Sequence, residues 1–129
     1  MSGKGGAIRL KALPWELTIC KPEDLSAFSL ASPFFFIGRT DEELSLVCRT
    51  EDAPGNALAR SDGWRGFRVE GTLDFSLTGI LAGLTAVLAE SGIGIFAVST
   101  YNTDYILVKR EHFEQAMAVL ARAGYETGT

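Results

Sequence analysis

The chain has 129 residues, of which 47% are hydrophobic, and its formal net charge is −4. This length suits one compact domain or two very small ones, and the apolar content suffices for a core without metal or disulfide bonds. The acidic balance argues against nucleic acid and anionic membranes as partners. No apolar run approaches the roughly 20 residues that span a bilayer, and the start of the chain lacks an apolar signal segment, so we expect a cytoplasmic protein.

Strands are predicted throughout the first half of the chain. Residues 1–12 begin with a glycine-rich stretch without periodicity, which is typical of a flexible end. Alternating side chains predict a strand over residues 15–20, and short apolar runs predict strands over residues 34–37 and Leu44–Arg49. The segment 50–63 is rich in turn-forming residues, so it is predicted to be a long loop and the best internal boundary.

The second half is predicted to alternate strands with helices. A strand over residues 64–70 precedes a helix whose large aliphatic side chains recur at helical spacing, namely Ile80, Leu81, Leu84, Val87 and Leu88. Strands over residues 94–99 and Asp104–Lys109 are predicted to form a hairpin, followed by a helix over residues 111–123 and a short strand near Tyr125. This order predicts an α+β protein of the ferredoxin-like type, βαββαβ, an antiparallel sheet with helices on one face.

The predicted first helix has an unusual second face. Its side chains are small and uncharged where a solvated helix would carry Lys and Glu, as in Ala82, Gly83, Thr85, Ala86 and Ala89. An exposed helix face without charged side chains is typical of a surface that packs against another element or protein. We therefore expect another element or another subunit to pack against it.

Residue types that carry catalysis or bind metals are sparse. The single histidine, His112, lies at the start of the predicted last helix, where a surface position is the simpler interpretation. Acidic residues at 41–43 and 51–52 flank strand ends and are interpreted as solvated turns rather than metal sites. Cys20 and Cys48 lie in predicted strands and cannot complete a tetrahedral metal site alone, so we expect buried, reduced thiols. The sequence thus predicts no enzyme activity, no metal and no cofactor.

Two polar segments interrupt the apolar elements. Residues 74–79 form the turn before the first helix, where unpaired backbone N–H groups suit a carboxylate and Gly79 permits close approach. Residues 99–104 form the hairpin bend, where Asp104 can hold an ammonium group through a charge-assisted hydrogen bond. The simpler alternatives are helix capping by Ser76 or Thr78 and an ordinary polar turn. Together the two segments offer a site for each charge of a zwitterion.

Three stretches of the sequence resemble a known family. Residues 93–108, IGIFAVSTYNTDYILV, closely resemble the ACT-domain segment of CASTOR-type arginine sensors and their bacterial relatives. Residues 39–48, and residues 67–73 with 78–81, resemble the corresponding pieces of those proteins. The likeness therefore extends over about residues 13–125.

The resemblance implies a domain organisation related to the paired domains of aspartate kinases. Residues 63–126 correspond to a C-terminal ACT domain, and residues 13–62 to a smaller, ACT-like strand cluster. Residues 1–12 remain as a flexible N-terminus. In the sensors an amino acid is clamped between the ACT domains of two tandem units. This chain corresponds to one unit, so the resemblance implies a homodimer or a higher even oligomer.

Ligand contacts are implied position by position. They are Asp74, Phe75, Ser76, Leu77, Thr78, Gly79, Gly94, Ile95, Thr100, Tyr101 and Asp104. Leu77 stands where the sensors have an acidic residue, which predicts a smaller or more apolar amino acid than arginine. The sequence thus predicts a non-catalytic regulatory module that binds a small amino acid and acts on an unspecified protein. The alternative is an interaction module whose surfaces serve oligomerisation without any ligand.

Overall fold

The computed structural model describes residues 8–70 and 77–128. In chain order the elements are β1 (Arg9–Ala12), β2 (Leu17–Pro22), β3 (Phe35–Arg39), β4 (Leu44–Arg49), β5 (Ala57–Glu70), α1 (Leu77–Glu90), β6 (Phe96–Ser99), β7 (Asp104–Lys109) and α2 (Phe113–Arg122). Short 3-10 helices, Thr50–Asp52 and Arg110–His112, precede β5 and α2. The chain divides into two compact units. We call Trp15–Trp64 the strand unit, and the described residues of Met1–Pro14 and Arg65–Thr129 the helical unit.

The strand unit is an antiparallel sheet in the order β3-β4-β2-β5. The predicted strands near residues 15–20 and 34–37 correspond to β2 and β3, and the prediction for Leu44–Arg49 matches β4. A small core contains Cys20, Phe28, Leu46 and Cys48, none of them more than 6% exposed. This unit therefore has its own, compact hydrophobic centre.

The predicted loop over residues 50–63 is wrong in its second half, because β5 already begins at Ala57. Ala57 lies opposite Pro22, and Ser61 lies opposite Ile19. Residues 58–60 are exposed, so no apolar alternation marks this part of the strand. Pairing of its backbone with β2 makes it a strand, and side-chain pattern does not report such pairing.

The two cysteines of the strand unit are free and buried. Burial raises the pKa of the Cys48 thiol to about 12, and burial also raises the pKa of Cys20. A thiol whose folded-state pKa lies above its unfolded value stabilises the fold fully below that unfolded value, about 8.5. The contribution is lost as the pH rises toward the folded pKa.

We therefore expect the free energy of unfolding to fall above about pH 8.5, by up to about 1.4 kcal/mol per pH unit for Cys48. Urea unfolding at a series of pH values between 7 and 10.5 measures this slope. The control is Cys48→Ala, which should have a shallower slope than wild type although its cavity lowers stability at every pH. Equal slopes for the two proteins would contradict the prediction.

The helical unit is a sheet in the order β1-β5-β7-β6, with both helices packed on one face. Ile80, Leu84 and Leu88 of α1 are buried at 7%, 0% and 0% exposure, and Phe113, Ala116 and Leu120 of α2 are buried beside them. Their partners on the sheet are Leu10, Phe67, Val69, Ile106 and Val108. Full burial of each large aliphatic side chain contributes roughly 1.5 to 3 kcal/mol before entropy is subtracted. The predicted α+β, ferredoxin-like class is confirmed.

One edge of this sheet differs from the predicted arrangement. In a βαββαβ sheet the last strand pairs with the first, whereas here β1 pairs with β5, with Leu10 opposite Val69. The described C-terminal residues contribute a single parallel bridge between Arg9 and Glu126 in place of the strand predicted near Tyr125. The prediction of a flexible end over residues 1–12 is wrong for Arg9–Ala12. A four-residue strand with one buried side chain, Leu10, is too short to show periodicity.

The small-residue face of α1 is partly covered by another residue of the same chain and partly exposed to solvent. Tyr125 is half-buried and packs against the helical core, and its hydroxyl oxygen lies 2.9 Å from the position that a Cβ on Gly83 would occupy. Gly83 therefore makes room for this ring. Ala82, Ala86 and Ala89 remain exposed. The expectation of a packing partner is thus met at Gly83, while the three alanines form an uncharged strip on the surface of the described chain.

Candidate functional site

The bend between β6 and β7 is a turn stabilised by several hydrogen bonds. The Thr100 amide donates to the carbonyl of Thr103 at 2.8 Å, and the Thr100 hydroxyl donates to the same carbonyl at 2.9 Å. The Thr103 hydroxyl donates to the carbonyl of Val69 at 2.5 Å. Since Val69 lies next to the end of β5, the bend is attached where the chain leaves the sheet toward α1. The hairpin bend therefore lies beside the end of β5, the strand that leads toward the polar segment 74–79.

Asp104 begins β7 and is almost completely buried, with 2% of its surface exposed. Side chains two and four residues further along a strand share its face, and both Ile106 and Val108 belong to the core beneath the helices. The carboxylate of Asp104 thus lies on the helix-covered face of the sheet. The aspartate of an ordinary polar turn would instead be exposed to solvent.

The carboxylate oxygens of Asp104 differ in their hydrogen bonding. The Ser99 hydroxyl donates to Oδ1 at 2.6 Å from the opposite position in the hairpin register. The other oxygen, Oδ2, is buried and accepts no hydrogen bond from the described residues. A buried carboxyl oxygen without a hydrogen-bond partner is costly, because it has lost its hydration and no protein donor replaces it. Such an oxygen is well placed to receive a hydrogen bond from a bound cation.

The structure brings only some of the predicted contacts together. Thr100 and Asp104 share the bend, and Tyr101 lies at its tip with 98% of its surface exposed. Gly94 and Ile95 lie before the start of β6, at its opposite end. Four residues of strand span about 13 Å, so one chain does not bring this pair to the bend. Gly94 is exposed, and a Cβ built on it would meet no atom within 4 Å.

The predicted carboxylate site lies largely outside the described residues. Asp74, Phe75 and Ser76 are not among them, and the side chains of Leu77 and Thr78 are likewise outside the description. Gly79 lies in the first turn of α1 and is exposed, with open space where a side chain would be. The prediction that residues 74–79 form a turn is therefore wrong from Leu77 onward, because α1 already begins there.

Sequence reasoning missed Ser99, although it lies in the polar segment 99–104. The resemblance implied contacts by Thr100, Tyr101 and Asp104 but none by Ser99. The predicted hairpin could have identified Ser99. With the bend at residues 100–103, Ser99 and Asp104 lie opposite each other as the first pair of the two strands. Cross-strand pairs in antiparallel strands have adjacent side chains, so a serine opposite an aspartate predicts a hydrogen bond.

The other candidate features that lie among the described residues are separate from the hairpin bend. His112 is exposed at the start of α2. Within residues 8–70 and 77–128, no three potential metal ligands lie close enough to hold an ion. A groove of about 500 Å³ runs along β1, lined by Arg9, Leu10, Lys11, Ala12, Glu70, Glu126, Thr127 and Gly128, and it contains none of the predicted contacts. Neither α1 nor α2, the helices of the described residues, has the length and apolar character that a bilayer span requires.

Comparisons with known proteins give one family and several solved structures. A family model of the ACT domain matches residues 59–122. A structure of a protein from Agobacterium tumefaciens shares 35% sequence identity with this chain at a TM-score of 0.84, covering 94% of this chain and 92% of that one. A Vibrio cholerae protein of unknown function, described as a possible transport protein, shares 23% identity at a TM-score of 0.73, covering 90% and 89%.

More distant similarity connects the fold to aspartate kinases. The aspartate kinase of Clostridium acetobutylicum shares 14% identity at a TM-score of 0.65, over 91% of this chain and 34% of the kinase chain. A structure described as a regulatory C-terminal domain of aspartate kinase, from Porphyromonas gingivalis, shares 12% identity at a TM-score of 0.57, over 94% and 98%. No curated protein matches the sequence. At these identities the kinase structures show a shared fold.

Proposed function

Because the chain belongs to the ACT-domain family, we propose that it is a non-catalytic regulatory module that binds a small amino acid at an interface between two copies. The observation that carries this proposal is the carboxylate of Asp104, which is 98% buried and leaves Oδ2 without a partner among the described residues. An α-ammonium group would supply both the missing hydrogen bond and the opposite charge. The bound ligand would thereby remove a cost that the free protein carries.

The second charge of the ligand is assigned to the start of α1. A helix N-terminus carries a partial positive charge, so it favours a carboxylate. Gly79 lies there with open space beside its backbone. The bend that precedes Asp104 is hydrogen-bonded to the end of β5, the strand that leads toward this helix. The two charged groups of one amino acid would therefore meet protein groups at the same end of the sheet.

If Gly94 and Ile95 contact the same ligand as Asp104, a second copy has to supply them, because they lie at the far end of β6 from Asp104. β6 is the last strand at its edge of the sheet in the described chain. If two copies pair these edges antiparallel about a two-fold axis, the start of one β6 lies beside the end of the other. Gly94 and Ile95 of a second copy would then lie near the bend. The exposed alanines of α1 offer an uncharged surface for the same contact.

The ligand is proposed to be small or apolar. Leu77 stands at the position where the arginine sensors carry an acidic residue, so a cationic side chain would find no carboxylate from this residue. An amino acid with a neutral side chain avoids leaving a buried charge unpaired. Glycine, alanine, the branched aliphatic amino acids and serine are the first candidates.

Melting temperature in the presence of each of the twenty amino acids tests the proposal. At about 100 times its dissociation constant, a ligand adds roughly 2.7 kcal/mol of stability, which corresponds to roughly 10 °C for a domain of this size. We expect at least one small or apolar amino acid to produce such a shift, and its α-hydroxy acid counterpart to produce a much smaller one. A panel without any shift would instead favour an interaction module that assembles without a ligand.

A further inference from the structure

Ser99 contacts the group that the ligand is proposed to contact. It is the last residue of β6 and the register partner of Asp104. Its hydroxyl donates to Oδ1 at 2.6 Å, a short O–H···O distance. The other carboxylate oxygen, Oδ2, accepts no hydrogen bond from the described residues. Among the described residues, the Ser99 hydroxyl is therefore the donor that orients this buried carboxylate.

This hydrogen bond makes the two carboxylate oxygens different. Oδ1 already accepts a hydrogen bond, whereas Oδ2 is still available to accept one. In this hydrogen bond the Ser99 hydroxyl is the donor and Oδ1 of Asp104 is the acceptor. With Oδ1 held, rotation about the Cβ–Cγ bond is restricted and Oδ2 stays in one place. Ordering this oxygen before the ligand arrives removes part of the entropy cost of binding. Without the hydroxyl, the carboxylate would have no partner in its buried position and would turn toward water.

We propose that Ser99 is a positioning residue for the ligand's ammonium group: it holds Asp104 so that Oδ2 alone faces the bound cation. This inference rests on the proposed amino-acid site, whose contacts did not include Ser99. Ser99 acts through Asp104 and does not itself bind the ligand. Its loss should therefore weaken the ammonium interaction selectively and leave the rest of the ligand's contacts unchanged.

The test compares wild type, Ser99→Ala and Ser99→Thr by titration calorimetry. The probes are the amino acid that gives the largest thermal shift and its α-hydroxy acid, which keeps the carboxylate and side chain but lacks the ammonium. Loss of a hydrogen bond to a charged group predicts about a tenfold or greater rise in the amino acid's dissociation constant for Ser99→Ala. Affinity for the hydroxy acid should stay within about twofold, so the preference for the amino acid shrinks. Threonine keeps the hydroxyl and suits a strand, so Ser99→Thr should restore that preference.

Each other outcome has a defined meaning. Unchanged or tighter amino-acid binding by Ser99→Ala would overturn the inference, and so would an equal loss for both probes, which indicates a general structural role. Because Ser99 is exposed on an edge strand, both variants are expected to fold, and their ligand-free melting temperatures verify this. If wild type binds no amino acid at all, the proposed function itself fails, and this inference fails with it.

Discussion

Replacing Asp104 by asparagine is expected to abolish amino-acid binding without unfolding the protein. Asparagine has nearly the same shape and keeps a side-chain oxygen for the Ser99 hydroxyl, but it removes the charge that the ammonium group is proposed to meet. Removing one partner of a buried, hydrogen-bonded charge pair costs at least about 2 kcal/mol, which corresponds to a loss of about 30-fold or more in affinity. At ligand concentrations near the wild-type dissociation constant, the thermal shift should disappear.

The ligand-free stability of Asp104→Asn distinguishes a binding residue from a structural one. In wild type the carboxylate is buried with one oxygen unpartnered among the described residues. Neutralising an unpaired, buried charge removes a desolvation cost, so the melting temperature without ligand should stay the same or rise. Asp41→Asn is the matched control, because it removes the same charge from an exposed turn and should bind like wild type. A lower melting temperature with normal binding would contradict the role given to Asp104.

Placing a charge on the exposed strip of α1 is expected to separate the two copies. In the proposed dimer Ala86 would be buried against the partner, and a glutamate there would bring an unpaired charge into an apolar contact. Such a charge costs several kcal/mol, so Ala86→Glu should raise the dimer dissociation constant by at least about 100-fold. Because a second copy completes the site in the proposed dimer, amino-acid binding should be lost as well, although Asp104 is untouched.

Sedimentation velocity of Ala86→Glu, with and without ligand, measures both consequences. The matched control is Ala118→Glu, which makes the same change at an exposed position of α2. There Glu114 and Arg122 lie one turn away on either side, so their effects on the new charge should nearly cancel. We expect Ala118→Glu to remain a dimer that binds the amino acid. An Ala86→Glu protein that is monomeric yet binds normally would show that one copy is sufficient.

Sequence patterns predicted some elements of the fold correctly and missed others. The α1 stripe and the β6–β7 hairpin were predicted correctly because their buried faces recur at regular spacing over many residues. Gly92 and Gly124, which follow the two helices, have positive φ values of 74° and 105°, as is common for glycine just after a helix. The first half of β5 and the whole of β1 were missed. Their strand character comes from pairing with distant backbone, and their side chains are largely exposed or too few to form a pattern.

The sequence identified residues of the candidate site, but it did not predict how deeply they are buried or which of them lie close together. The sequence singled out Asp104 as a polar bend residue, whereas the structure buries it on the helix-covered face of the sheet. Burial depends on which face of β7 meets the helices, and an isolated bend sequence does not contain that information. Likewise, the separation of Gly94 and Ile95 from the bend follows only once the bounds of β6 are known. Asp74, Phe75 and Ser76 remain predictions, since they lie outside the described residues.

The central claim is that a small amino acid binds between two copies with its ammonium group on Asp104. A crystal structure grown with the amino acid that stabilises the protein most tests this directly. We predict that the ammonium nitrogen lies about 2.7 to 2.9 Å from Oδ2 of Asp104, with Gly94 and Ile95 of the second copy lining the same ligand. A ligand bound elsewhere, or one bound entirely by a single copy without contact to Asp104, would contradict the account.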